Sequence, residues 1–248
     1  MKVFSVAGYH HTGKTTTVVE LIKELRSRGF KVESIKDIHS EKFTMEKVDS
    51  NTYKHWKASG NTVIARGLQE TYQIWHRRLK LSEMLQHLAA DYVVVEGMKT
   101  AALPRILCAN SSNQLDELVN GSVFAISGKY ANDHANYKDL PVLDSRKDIG
   151  KLADLVEKHV FPVLPLADPE CCSACGTDCF GMVGAILDGE KKRNDCLTDR
   201  QLNIRLYADN REIKIVPFVQ NIMRDVILSL TRNLKGIERG RIKIELDI

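Results

Sequence analysis

The 248-residue chain is long enough for one large domain, or for a large and a small one. Its 43 % hydrophobic and 27 % charged content is ordinary for a soluble globular protein, and a formal net charge of +4 is too small to argue for nucleic-acid binding. No apolar run approaches the roughly 20 residues needed to span a bilayer. Gly8, His10, His11 and Lys14 interrupt the first apolar run before a signal-peptide core can form, which predicts a cytoplasmic protein.

In chain order, "KVFSVAG" reads as a buried strand, followed by a helix from about Lys14 to Arg28. Val18, Ile22 and Leu25 give that helix its inward face, and Gly29 is a natural stop. "FKVESIK" is a second strand. Asp49 or Ser50 caps a short helix ending near Gly60, and "NTVIARG" and "ETYQIW" form a pair of strands. Leu81, Met84, Leu85 and Leu88 mark another amphipathic helix. "DYVVVEG" has the β-branched run of a central parallel strand. "PRILC", "SVFAIS" and "LPVLD" supply further strands, and a helix follows with Ile149, Leu152, Leu155 and Val156 on one side. Strands alternating with helices predict an α/β fold, a mostly parallel sheet flanked by helices, over residues 1–162.

"FPVLPLADPE" reads as a linker, and the texture changes beyond it. Residues 163–248 read as a small α+β metal-binding module: a cysteine-rich loop over 171–196, then hairpin, helix and strand over 197–248. Its elements are a short helix at Phe180 to Leu187, a hairpin about Asp209-Asn210, a helix from Pro217 to Gly236 and a closing strand, "RIKIELDI".

Gly8-x4-Gly13-Lys14-Thr15 matches the phosphate-binding loop of nucleoside triphosphatases. The glycines let the backbone turn its N–H groups toward an anion, and the following helix presents its positive end there. Lys14 would reach the β- and γ-phosphates and Thr15 would ligate Mg²⁺, with Gly8, Thr12, Gly13 and Thr16 in the same cradle. Glu96, at the end of a buried strand, is the candidate second group for metal or water, and Asp37 after the second strand is another. His10 and His11 face either substrate or solvent; Lys36 and Lys99 meet either phosphate or water. An Asn-Lys-x-Asp guanine signature is missing. Ser127, Gly128 and Lys129 occupy the place where one would fall, which makes them candidate base contacts. Hydrolysis should be slow alone, since no arginine is evidently placed as a finger; Arg66 and Arg105 are candidates acting across a dimer.

Five of six cysteines fall between 171 and 196, which in a cytosolic chain points to metal rather than disulfides. Cys172-x2-Cys175-x3-Cys179-x16-Cys196 has ligand-like spacing, with Cys171 able to replace Cys172. The segment resembles the small [4Fe–4S] domain of corrinoid and electron-transfer proteins of anaerobes. A structural Zn²⁺ site and metal-free thiols are the other readings. Cys108 reads as a core residue.

The phosphate loop with its flanks, "VDSNTYKHWKASG" and "DYVVVEGMKTAALPRILC" together resemble the molybdopterin-guanine dinucleotide biosynthesis protein B (MobB) family over about residues 2–160. That resemblance implies a GTP-binding protein with Mg²⁺ and weak intrinsic hydrolysis. It also implies a homodimer and a partner, the MobA-type guanylyltransferase that attaches the guanine nucleotide to molybdopterin, with molybdopterin or a molybdoenzyme as further partners. The family usually has small residues where this chain has His10 and His11, and a histidine-rich segment where "KDIHS" keeps only His39. Two other readings stand beside it: a metallochaperone GTPase using His10, His11 and the cysteines as transit ligands, and a non-catalytic GTP-dependent adaptor.

Overall fold

The computed structural model describes residues 1–40, 43–166, 172, 175–197, 204, 206–208, 211–213 and 215–231. Five parallel strands form the main sheet in the order β2-β5-β1-β6-β7: β1 (Lys2–Gly8), β2 (Val32–Lys36), β5 (Tyr92–Glu96), β6 (Arg105–Cys108) and β7 (Val123–Ser127). The expected α/β fold with a mostly parallel sheet is what the chain forms. β1 sits in the middle and ends in the phosphate loop. Its register puts Val6 beside Glu96 and Gly8 beside Cys108.

The sheet is buried on both faces, which is why its strands read as unbroken apolar runs. Period-2 alternation divides their side chains. Phe4, Val6, Val94, Ile106 and Cys108 pack against α1 (Lys14–Ser27) and α5 (Ile149–His159). Val3, Val93 and Val95 pack on the other face with Leu81 and Leu85 of α3 (Leu81–Leu85). Leu107, Val123 and Ile126 join Leu115 of α4 (Ser112–Leu118) in a third cluster. Helix α1 buries Thr17, Val18, Leu21 and Leu25, so its inward face is Leu21 rather than the expected Ile22, which is only partly buried. Arg28 fastens α1 to α5, donating to Glu24, Asp154, Glu157 and the Gly150 carbonyl at 2.6–2.9 Å.

Helix α2 (Asn51–Ser59) is capped by Ser50, whose Oγ accepts from the Tyr53 N–H at 3.1 Å. The antiparallel pair β3 (Val63–Arg66) and β4 (Thr71–Ile74) forms its own two-stranded sheet. "LPVLD" is not the full strand expected. Its β9 (Leu140–Pro141) pairs with β8 (Asn136–Tyr137), and only Val142 bridges to Ile126, because Pro141 has no N–H to give a ladder.

The predicted linker is partly ordered against the sheet. Pro162 bridges to Lys2, the Val163 N–H donates to the Met1 carbonyl at 3.2 Å, and Leu164 is buried. Helix α6 (Cys179–Leu187) begins at Asp178, whose carboxylate accepts from the Gly181 N–H at 2.7 Å. Met182 and Val183 share an apolar cluster with Ala102, Leu164 and Cys196, and Leu187 packs on the main core. Gly184 packs beside Gly121, where a Cβ would make ordinary contact, 3.5 Å from the Gly121 carbonyl oxygen. Arg193 donates to the carbonyls of Pro162 and Val163 at 2.5 and 2.6 Å. Helix α6 is thus seated on the sheet-bearing unit. Beyond it lie the antiparallel β10 (Leu206–Ala208) and β11 (Arg211–Ile213) and helix α7 (Pro217–Thr231). The expected turn at 209–210, the helix end at 232–236 and the final strand lie outside the described residues.

This seating predicts shared cooperativity. Met182→Ala should lower the stability of the one unfolding transition by roughly 2–4 kcal/mol, read in urea with fluorescence and circular dichroism together. An early, separate transition that leaves the sheet unit's midpoint in place would show that α6 folds on its own.

Candidate functional site

The site lies where β1, β2 and β5 end. Gly8 (φ 151) leaves β1 with the Cys108 carbonyl of β6 so near that a Cβ would lie 2.0 Å from its oxygen. Gly13 (φ 98) occupies the left-handed region immediately before α1, and a Cβ there would come within 3.1 Å of Gly128 Cα. Gly128 (φ 78) closes the contact from behind: a Cβ would meet the Thr12 carbonyl oxygen at 2.2 Å, and the next N–H, of Lys129, donates to that same oxygen at 3.0 Å. Two glycines that bound the loop and a third after β7 therefore shape it. Inside it, the Thr12 hydroxyl donates to the Tyr9 carbonyl at 2.9 Å.

Lys14 Nζ also donates to the Tyr9 carbonyl. Burial lowers the Lys14 pKa, with Lys99 and Lys36 pushing the same way and Glu96 opposing them. Thr15 Oγ1 donates to Glu96 Oε1 at 2.7 Å, and Lys36 Nζ stands 3.3 Å from that oxygen. The structure thus brings Lys14, Thr15 and Glu96 together. Thr16 is half-buried in the first turn, whereas His10 and His11 are exposed, His11 in the left-handed region (φ 59).

Asp37 follows β2, and its N–H donates to the Glu96 carbonyl at 2.9 Å. Its carboxylate is buried between Arg78, which donates to Oδ1 at 3.1 Å, and His39, 2.9 Å from Oδ2 but outside hydrogen-bond geometry. Arg78 is a partner that sequence reasoning missed; it is the second of two adjacent arginines and belongs to no motif.

Two expectations change. Ser127 is fully buried and donates to the Leu143 carbonyl at 2.7 Å, within a polar network of Thr17 and Ser145. Its side chain braces the loop from beneath and does not face a base. Lys129 is exposed, and its N–H is the part that holds Thr12. Arg105, a candidate finger, is 3 % exposed and donates to Ser5 Oγ and to the carbonyls of Lys99 and Ala101, so it cannot reach across a dimer. Burial lowers its pKa, yet a guanidinium so supplied with acceptors stays charged. Cys108 forms the floor of the site; burial pushes its thiol up to about 12, which keeps it protonated.

The cysteine segment starts from different evidence. Cys175, Cys179 and Cys196 meet in the cluster around Met182, and Lys191 donates to the Cys175 carbonyl at 3.1 Å. Gly176 is left-handed (φ 81), with open space where a Cβ would sit. Among the described residues, however, no group of three or more His, Cys, Asp or Glu side chains is arranged to hold a metal ion, and Cys171 lies outside them. The donor set suits a soft metal, but the arrangement is not a formed ligand shell.

The family model for molybdopterin guanine dinucleotide synthesis protein B matches residues 3–127, half of the chain. The chain belongs to that family. A Methanocaldococcus jannaschii relative is 28 % identical over 257 residues, covering 100 % of this chain and 98 % of its own; its name assigns it provisionally to molybdopterin-guanine dinucleotide biosynthesis as an adapter protein. A Haemophilus influenzae molybdopterin-guanine dinucleotide biosynthesis adapter protein is 27 % identical over 165 residues, 62 % of this chain and 87 % of its own. The crystal structure of Bacillus subtilis MobB superposes with a TM-score of 0.52 at 19 % identity, covering 66 % of this chain and 100 % of that one, which shows the shared fold. No helix among the described residues is long and apolar enough to cross a membrane.

The loop's dependence on a residue outside its motif is testable. Gly128→Ala should lower stability by roughly 2–4 kcal/mol, from left-handed strain plus collision with the Thr12 carbonyl, measured as a urea midpoint at constant slope. An unchanged midpoint would mean that Gly128 does not set the loop's shape.

Proposed function

We propose that this MobB-family chain binds GTP with Mg²⁺ at residues 8–16 and acts as an adapter in attaching the guanine nucleotide to molybdopterin. The contact between Thr15 and Glu96 carries the reading. A hydroxyl from the helix start and a carboxylate from the neighbouring strand end meet at 2.7 Å beside Lys14, which is the arrangement a phosphate-bound magnesium requires. Thr15 and Glu96 would hold Mg²⁺, directly or through water, and the ion would neutralise β/γ-phosphate charge. Lys14 would leave the Tyr9 carbonyl for the phosphates, and the loop N–H groups would cradle them. Asp37, fixed by Arg78, stands beside Glu96 to orient water. Slow hydrolysis by the chain alone is part of this reading, and the burial of Arg105 supports it.

The adapter names of the relatives support a cytoplasmic role beside a MobA-type guanylyltransferase. A homodimer fits the exposed Ile64 of β3 and Leu68 in the turn that follows it. Residues 163–248 would make up the appended module, and its cysteines would bind a [4Fe–4S] cluster, or Zn²⁺ in its place. The spacing of Cys172, Cys175, Cys179 and Cys196 and the meeting of three of them in one cluster support that assignment.

Lys14→Ala should weaken GTP binding more than 100-fold, by about 3 kcal/mol or more, with the circular dichroism spectrum unchanged. Unaltered GTP affinity in a folded variant refutes the phosphate-loop assignment, and competition by ATP at equal affinity refutes the base. Chain purified without oxygen should contain iron and sulfide and absorb near about 400 nm, with both lost in Cys175→Ala; zinc alone, or no metal, removes the iron–sulfur assignment.

A further inference from the structure

We propose that Lys99 is a second phosphate-binding side chain, which contacts the terminal phosphate of a bound triphosphate and so separates GTP from GDP. This role rests on the phosphate-loop reading above. After β5 the chain turns through Gly97 (φ 95) and Met98 (φ 53), two successive left-handed residues that send Lys99 back across the end of β1. The turn is held from below. Buried Arg105 donates from Nη2 to the Lys99 carbonyl at 2.8 Å and the Ala101 carbonyl at 3.2 Å, while its Nε donates to Ser5 Oγ at 3.2 Å. Arg105 is thus a positioning residue for the segment that carries Lys99.

Lys99 Nζ lies 4.0 Å from the centroid of the Tyr9 ring. Tyr9 is the first residue after Gly8, its carbonyl holds Lys14, and its hydroxyl donates to Glu117 Oε2 at 2.7 Å. Two ammonium groups therefore rest on one residue of the phosphate loop, one on its ring and one on its carbonyl. Among the described residues, neither forms an ion pair with a carboxylate. An exposed cation–π contact is weaker than an ammonium–phosphate pair, so an arriving phosphate would draw Lys99 off the ring. Lys99 and Lys36 each disfavour charge on Lys14 and Glu96 favours it, so an anion at this mouth would act in the same sense as Glu96.

The side of approach selects the phosphate. Thr15 and Glu96 would hold the magnesium that neutralises the terminal phosphates, and Lys99 arrives from the same strand end, three residues after Glu96. A diphosphate would leave Lys99 on Tyr9.

Calorimetric titration of the full chain with Mg²⁺–GTP and Mg²⁺–GDP tests this. Lys99→Met should lose about tenfold in GTP affinity with GDP affinity changed less than about twofold, and Lys99→Arg should keep most of the wild-type preference. Equal loss for both nucleotides, or no loss for GTP, overturns the assignment of Lys99 while leaving the phosphate loop intact. A wild-type chain that binds neither nucleotide overturns the phosphate-loop reading and this role together.

Discussion

The Cys108 carbonyl presses on Gly8 from the adjacent strand, and most of the site follows from that one close approach. Any side chain at position 8 would push β6 away from β1 at the point where the chain must leave the sheet. With Gly8 in place, β1 and β6 stay paired to their last residue and the loop starts from a fixed point. Gly128 applies the same logic from the next strand over, meeting Thr12 through backbone alone. The loop is therefore shaped by strand ends packed behind it, and its N–H groups need no ligand to be held open.

A site held open from behind can tolerate an unfavourable charge distribution in front. Lys36 stands 3.3 Å from Glu96, Lys99 lies over the Tyr9 ring, and burial adds to the cost of charging Lys14. A stability-optimised surface would pair these ammonium groups with more carboxylates. Here they are lodged on a ring, a carbonyl and a shared acid. Weak lodgings make cations available to a phosphate at little cost of release, which is how a binding site differs from a salt-bridge network.

The alternation of strands and helices, the phosphate loop and Glu96 were legible in the sequence, because each has a local cause: burial on both sheet faces, glycine spacing, an acid at a strand end. Ser127 was misplaced because the sequence shows that it follows β7 but not which way its side chain turns; the partners that turn it inward, Thr17, Leu143 and Ser145, come from distant segments. Arg105 failed for the same reason. Its acceptors are carbonyls, and carbonyls have no sequence signature. Tyr9 and Gly128 were overlooked as organisers since one lies at a variable motif position and the other lies outside the motif.

The cysteine-rich extension presents a different question, namely whether anything bound there could be sensed at the phosphate loop. The answer lies in the segment from Gly97 to Pro104. Its first part carries Lys99 to Tyr9; Arg105 braces its middle; Ala102 shares the cluster of Met182, Val183 and Cys196; and Leu103 enters the core with Val3 and Val93. One short stretch of backbone thus borders the proposed triphosphate site and the seat of α6. Two successive left-handed residues at its start give it a strained turn whose geometry is set by what packs on either side. An extension resting only on outer helices would be insulated from the nucleotide by the whole sheet. Seated on this segment, it shares a boundary with the residue proposed to read the terminal phosphate.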